Sequence, residues 1–552
     1  MSLEDDVREL TERVTHIERT LGIGADPVPA LPAAPAAEAA QTARTAPVVN
    51  LPYLVGRALL GLAGAYLLRA LTEAGTLPHA AGVAAGILYA VGWLALAARA
   101  PAAERIEIAL HSLTAVLVLS PLLWEATLRF QTVSTWMAGA MLVFFTVFGL
   151  AISWRKDILI LATIATVAGL GTAGALLMAT RDVLPFTLVF LAIGAAVEAS
   201  ACLDHWLSER WLAASGANLS VLLATWLVTR EHGIPPNYVP IPHAWLLATL
   251  ALLLAIYLSS TIVRTLARGF TFTFFETAQC AFAVAIALNG CLRLSAEDPR
   301  IAPAIGALAV VCAAACYLVS FILLAYGRNF YTYTTFGILL AVAGTRILFP
   351  LDGAASVWLV LAVASVFAGR RFGRSTLEIH GAIYLLLALF CLGAIHQALV
   401  ALVGTGDLAW PAYAGALAAC ACYAFSRPGI SRIVLAAAVS LLLAAIGAFG
   451  LTHGYHALFG ADAPHSYCAT LRTTVLASAA LVAAWAGRRW ARVEISRMIY
   501  PLLALAAWRV FTDDIHQEHR AAAVLSLLVY GTALMTISRR RGARVTADAG
   551  GQ

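Results

Sequence analysis

The sequence predicts an all-α, polytopic integral membrane protein of about eighteen transmembrane helices. They would form nine helical hairpins of about 55 residues each, preceded by a short coiled coil. Three observations predict this. The 552-residue chain is 61% hydrophobic and only 12% charged, about half the charged fraction of a soluble domain. Apolar stretches of about 20 residues, the length that crosses a bilayer core, recur from Leu51 to Ser538. Basic residues gather at every second interval between those stretches.

The chain opens on a polar, heptad-patterned segment. Leu3, Val7, Leu10, Val14, Ile17 and Leu21 alternate at spacings of four and three. Val7, Val14 and Leu21 take a positions, and Leu3, Leu10 and Ile17 take d positions. A mostly β-branched a set with a leucine-rich d set leans toward a parallel dimer. Residues 1–23 are therefore read as a cytoplasmic coiled-coil helix, and residues 3–21 as a handle for homo- or hetero-oligomerisation. The alternative is a lone amphipathic helix lying on the membrane. The opening MSLEDDVREL lacks the basic and apolar regions of a cleaved signal peptide, so the first apolar helix is expected to act as an uncleaved anchor. Residues 24–50 are rich in Pro and Ala and form a linker that cannot build a core.

Residues 51–541 are read as the membrane domain, and 542–552 as a disordered cytoplasmic tail. The first nine apolar segments span 52–72, 80–99, 106–128, 132–154, 158–179, 183–203, 211–229, 243–263 and 274–293. The next nine span 301–325, 330–349, 354–369, 378–403, 410–425, 432–452, 465–487, 495–511 and 521–538. After even-numbered segments come bases, such as Arg99, Arg155, Lys156, Arg264, Arg370, Arg371, Arg488, Arg489 and Arg539–Arg541. The positive-inside bias puts those ends, and both termini, on the cytoplasmic side, as in a bacterial inner membrane. Lys156 is the only lysine among 36 basic residues, and the arginines do not gather into one patch. A net charge of +6 is thus read as topology, with the lipid bilayer as partner and no nucleic acid.

A second repeat runs along the opposite ends. Odd-numbered segments close with Arg69, Arg129, Arg181, Arg230, Arg293, Arg346, His396, His453 and Arg509, often followed by an acid such as Glu73, Asp182 or Asp513. The interval of about 55 residues is one hairpin, which suggests growth by duplication. A cation at a helix C-terminus meets the last unpaired carbonyls and the negative end of the helix dipole. The functional alternative is a ring of charges that binds an anionic glycan or lipid headgroup.

The segment Leu54-Val-Gly-Arg-Ala-Leu-Leu-Gly-Leu-Ala-Gly-Ala-Tyr-Leu-Leu-Arg69 with Glu73, and the segment Trp508-Arg-Val-Phe-Thr-Asp-Asp514 with Arg520 and Leu525–Gly531, resemble the first and last hairpins of an uncharacterised bacterial family of predicted membrane proteins. That family also carries an N-terminal coiled coil, a Pro/Ala-rich linker and many helices. The motif resemblance covers about 60 residues and the architectural one the whole chain. It implies fold and location, and carries no activity.

Several residues are candidates for chemistry. Ionisable groups inside a membrane are costly and default to functional hypotheses. Glu107 with His111, and Glu378 with His380, are candidate proton-relay pairs, and His396 is the deepest single histidine expected. Arg57, Glu198, Asn218, Glu276 and Asn289 also lie in or near spans. Asp513, Asp514, His516, Glu518 and His519 form one polar loop, and His453, His456, Asp462 and His465 another. These are metal-ligand residue types, and two such loops could meet at one divalent site. Nine cysteines, nearly all within apolar segments and without a CxxC, are read as small hydrophobes. No phosphate loop, dinucleotide fingerprint or nucleophile elbow is present, and no cofactor is expected. The leading expectation is a non-enzymatic membrane scaffold or envelope-assembly component. A transporter or lipid/glycan flippase is the alternative, and a membrane glycosyltransferase-like enzyme comes third.

Overall fold

The computed structural model describes residues 51–203, 209–296, 298–324, 326–404, 406–460, 464–514 and 520–549. The expected coiled coil and linker lie outside them. Every regular element among the described residues is a helix. Two compact units result: the described residues up to Val133 with Ala151–Ala168, and Ser134–Leu150 with the chain from Gly169 onward.

The first unit contains α1 (Leu51–Glu73), α2 (His79–Arg99) and α3 (Arg105–Leu128). It also takes the end of α4 (Thr135–Lys156) and the first half of α5 (Leu159–Thr180). Lys156 shows what its basic residues do locally. Its ammonium donates to the Ala97 carbonyl at 3.1 Å and also to the Ala100 carbonyl, so it closes the C-terminus of α2.

The second unit continues with α6 (Val183–Cys202), α7 (Arg210–Val228), α8 (His243–Ile262), α9 (Phe274–Leu294), α10 (Ile301–Leu318) and α11 (Arg328–Leu348). It ends with α12 (Leu351–Phe372), α13 (Ser375–Cys391), α14 (Ala394–Val403), α15 (Trp410–Phe425), α16 (Ile430–Phe459), α17 (His465–Arg489), α18 (Val493–Arg497), α19 (Ile499–Thr512) and α20 (Arg520–Ala549). One π turn, Val263–Ala267, closes α8 and another, Val319–Leu323, closes α10. The core from α12 onward is built largely of alanine, including Ala355, Ala362, Ala388, Ala412, Ala445 and Ala480, with Trp358, Leu385 and Leu442 between them. Small side chains are what allow helices to approach closely where lipid supplies no hydrophobic drive between them.

Among the described residues, 14 helices are long and apolar enough to cross a membrane, and α13 with α14 makes a fifteenth if that bent pair is one span. The remaining apolar segments fold as helices that fall short. The first turns of α11 carry Arg328, Asn329, Thr332, Thr334 and Thr335. Helix α15 has 16 residues, and α19 has 14 after the break at Met498. Close packing joins α2 to α3, α6 to α7, α8 to α9, α10 to α11, α12 to α13 and α15 to α16. These pairs are linked at the basic ends, one helix out of step with the hairpins counted along the sequence. Gly306 and Gly344 show why α10 and α11 fit so tightly. A Cβ on Gly344 would stand 2.8 Å from the Gly306 carbonyl oxygen, so neither position has room for a side chain.

Candidate functional site

Four charged side chains meet in the second unit, each near a basic end of its helix. Glu198 lies near the end of α6, Arg210 opens α7, Arg264 sits in the π turn after α8, and Glu276 is in the first turn of α9. All four are buried. Arg210 forks onto Glu198, with Nε donating to Oε1 at 3.0 Å and Nη2 to Oε2 at 2.8 Å. Its remaining Nη1 donates to Glu276 Oε1 at 2.7 Å. Arg264 Nε donates to the same oxygen at 3.0 Å, and its Nη1 to the Ala201 carbonyl.

Further donors reach both carboxylates. The Ser260 hydroxyl donates to Glu198 Oε2 at 2.5 Å. The Thr273 backbone N–H donates to Glu276 Oε2 at 2.7 Å, and the Thr273 hydroxyl donates to it as well. Glu276 therefore serves both the cluster and the capping box that starts α9. The faces of the guanidiniums rest on aromatic rings, Arg210 4.2 Å from Phe275 and Arg264 4.9 Å from Phe270. Among these four residues two cations balance two anions. Charges buried in a low-dielectric interior persist only when paired and hydrogen-bonded in this way. One turn further along α9, Gln279 exchanges amide hydrogen bonds with Asn218 of α7 at 2.8 and 3.2 Å.

A second centre forms at the other helix ends of the same unit. The span expected at 378–403 bends by 64° between α13 and α14, where Gly393 adopts φ 70°. Arg509 of α19 is 1% exposed, and its Nη1 donates to the Leu402 carbonyl at the C-terminal end of α14. Asp513 and Asp514 each stand 3.6 Å from Arg509 Nη2. Thr473 of α17 donates to Asp514 at 2.7 Å, and Arg472 lies within electrostatic reach of Arg509 and both aspartates.

The relay candidates divide. Glu107 Oε1 is 3.7 Å from His111 Nε2 and takes a 2.8 Å ion pair from Arg57, so that pair is brought together. Glu378 and His380 are not. They lie two positions apart on α13 and point in different directions. Glu378 accepts from the Arg427 N–H at 3.0 Å, whereas His380 Nδ1 bonds the Tyr317 hydroxyl at 2.8 Å. His396 lies beyond the Gly393 bend with an exposed side chain, rather than deep in a straight span.

The metal-type residues are engaged by other partners. His453 packs at a tilt against Phe449, ring centroids 4.0 Å apart, and His456 Nε2 is 3.2 Å from Cys468 Sγ. His516, Glu518, His519 and Asp462 lie outside the described residues. Among the described residues no three His, Cys, Asp or Glu side chains stand close enough to hold a metal.

Members of the repeat of cations take different partners. Arg69 bridges Glu125 at 2.6 Å and Glu73 at 3.3 Å, and Arg129 reaches Glu73 at 2.7 Å. Arg346 donates to the Phe349 carbonyl at 3.3 Å and Arg293 to Asn289 at 3.3 Å. Arg230 lies over Trp226 at 4.6 Å, and Arg181 over Tyr238 at 6.0 Å. Arg509, capping a different helix from its own, is the member drawn into the interior.

Sequence reasoning placed Glu198 and Glu276 in or near the membrane spans and read Arg264 as a topology marker. A signal was available. The basic ends of odd-numbered segments carry Arg57 then Glu107, Arg210 then Glu276, and Arg432 then Glu494, and each pair is an ion pair in the structure. The fold and these closed charge clusters define an all-helical protein with many candidate membrane spans. No protein-family model, curated protein or solved structure matches the chain.

Proposed function

We propose that this chain is an inner-membrane protein of about eighteen spans, with both termini cytoplasmic, that serves as a non-enzymatic scaffold in envelope assembly. The observation that carries this reading is the buried, densely hydrogen-bonded Glu198–Arg210–Glu276–Arg264 cluster. All four of its carboxylate oxygens accept hydrogen bonds, all three Arg210 nitrogens donate to the two glutamates, and Arg264 donates to Glu276 and to the Ala201 carbonyl. Such a cluster fixes how α6, α7, α8 and α9 meet, and it would have to come apart before taking up an ion or proton. The heptad at residues 3–21 supplies the partner handle in this reading. Deleting residues 1–50 is expected to remove a protein partner that co-purifies with the full chain in its native lipids. An unchanged set of partners in the truncated protein would sink the scaffold reading.

The transporter or lipid/glycan flippase reading has one observation of its own. Broken helices whose ends meet charged groups recur at transport sites, and α14 ends on Arg509. Uptake or lipid scrambling by the full chain in proteoliposomes, lost in Arg509→Gln, is what this reading expects. Equal rates for the variant and the parent would remove it.

A further inference from the structure

A groove of about 500 Å³ runs between α16 and α17. Small residues, among them Ser440, Ala444, Ser478 and Ala479, form its floor and walls, and the exposed Leu443 and Val482 stand along it. Its lining on α16 extends from Ala436 to Leu451, which at 1.5 Å per residue is about 22 Å. That is more than the depth of one bilayer leaflet, about 15 Å, and comparable to the reach of a single extended acyl chain.

The two ends of the groove differ chemically. Leu451 and Thr474 mark one end, with no charge in the lining. At the other end stand Tyr423, Trp490 and Ile495. Arg488 and Arg489, both exposed, close α17 immediately before Trp490, and Arg492 and the exposed Arg497 follow. The carboxylate there, Glu494, is paired with Arg432 at 3.0 Å and with Arg492 at 3.9 Å and accepts from the Tyr423 hydroxyl at 3.3 Å, so the exposed Arg488, Arg489 and Arg497 give this end its positive charge. Tyr and Trp at the end of an apolar channel, beside a run of arginines, are the residue types that retain an anionic headgroup at a membrane interface.

We propose that the α16/α17 groove binds one anionic glycerophospholipid of the leaflet on the basic side. One acyl chain lies along the small-residue floor, and the phosphate is held by Arg488 and Arg489. The occupant is a phospholipid because the apolar channel ends at Trp490, which directly follows Arg488 and Arg489 in the chain. A free anion would leave the channel unused, and a neutral chain would leave the arginines unused.

The test uses the full chain reconstituted in nanodiscs of equimolar phosphatidylglycerol and phosphatidylcholine, then stripped with mild detergent. The lipid that stays bound is counted by native mass spectrometry. The parent is expected to retain phosphatidylglycerol in several-fold excess over phosphatidylcholine. Arg488→Gln/Arg489→Gln is expected to abolish the preference. Ser478→Phe, which fills the channel from an exposed position, is expected to lower retention of both lipids while the arginines stay in place. Thermal unfolding of each variant at the parent's temperature shows that the fold is kept. Equal retention of the two lipids by the parent would overturn the proposal, as would an unchanged preference in Arg488→Gln/Arg489→Gln or unchanged retention in Ser478→Phe.

Discussion

Arg210 touches both acids of the buried cluster, so its loss strands more charge than the loss of any other member. Arg210→Leu leaves Glu198 without its bidentate partner and is expected to cost about 3–5 kcal/mol. The double variant Glu198→Leu/Arg210→Leu removes a balanced pair and leaves Arg264 on Glu276 at 3.0 Å. It is therefore expected to be more stable than the single variant, as read by thermal unfolding in detergent. If the double variant is less stable by the sum of the two single losses, the cluster is not a coupled unit. Thr273→Ala removes both an N-cap and a donor to Glu276 and should cost about 0.5–2 kcal/mol. These groups were individually legible in the sequence: acids inside apolar segments, and arginines at their ends. Their pairing was not, because it joins residues as far apart as Arg210 and Glu276 on helices whose facing sides hydropathy does not specify.

At the scale of helices, two glycines govern geometry that no neighbour can replace. Gly344→Val would drive a branched side chain into the Gly306 carbonyl, an atom that cannot rotate away. Overpacking of this kind costs about 1–3 kcal/mol, and the loss should appear as a lower unfolding temperature. Gly393 stands at φ 70°, in the left-handed region, where a side chain costs about 1–2 kcal/mol. Gly393→Val should destabilise the bend between α13 and α14 by that amount. No change in unfolding temperature would mean that the bend does not depend on this residue. The bend was missed from sequence because residues 378–403 read as one apolar run, and a single glycine in such a run is an ordinary event. The separation of Glu378 from His380 has a similar origin. Closeness in sequence misled, since residues two apart on a helix face different neighbours.

At the scale of the whole chain, the alternation of basic ends makes an orientation prediction. A fluorescent protein fused after Gln552 should fold and fluoresce, because the C-terminus is expected in the cytoplasm. Alkaline phosphatase at the same site should be inactive. The reverse pattern would invert the topology, and with it the assignment of the α16/α17 groove to the cytoplasmic leaflet. Lys156 offers an independent check, being the only lysine in the chain. An amine reagent that cannot cross the membrane should leave it unmodified in intact cells and reach it in inverted vesicles, and labelling from outside would contradict the orientation.

The sequence by itself determined the helical class, the positions of the apolar segments and the alternation of charge between their ends. Each is written locally, in about 20 residues of hydropathy or a few flanking arginines. Only the tertiary structure decided that Arg210 and Arg264 lie buried against Glu198 and Glu276. It likewise decided that Arg509 turns inward to the end of α14, and that six closely packed pairs of consecutive helices are joined at their basic ends. The physical reason is common to all three. In an apolar chain every helix face looks nearly alike to a hydropathy scale. Which faces meet is settled by small residues that permit approach and by buried polar groups that must find a partner.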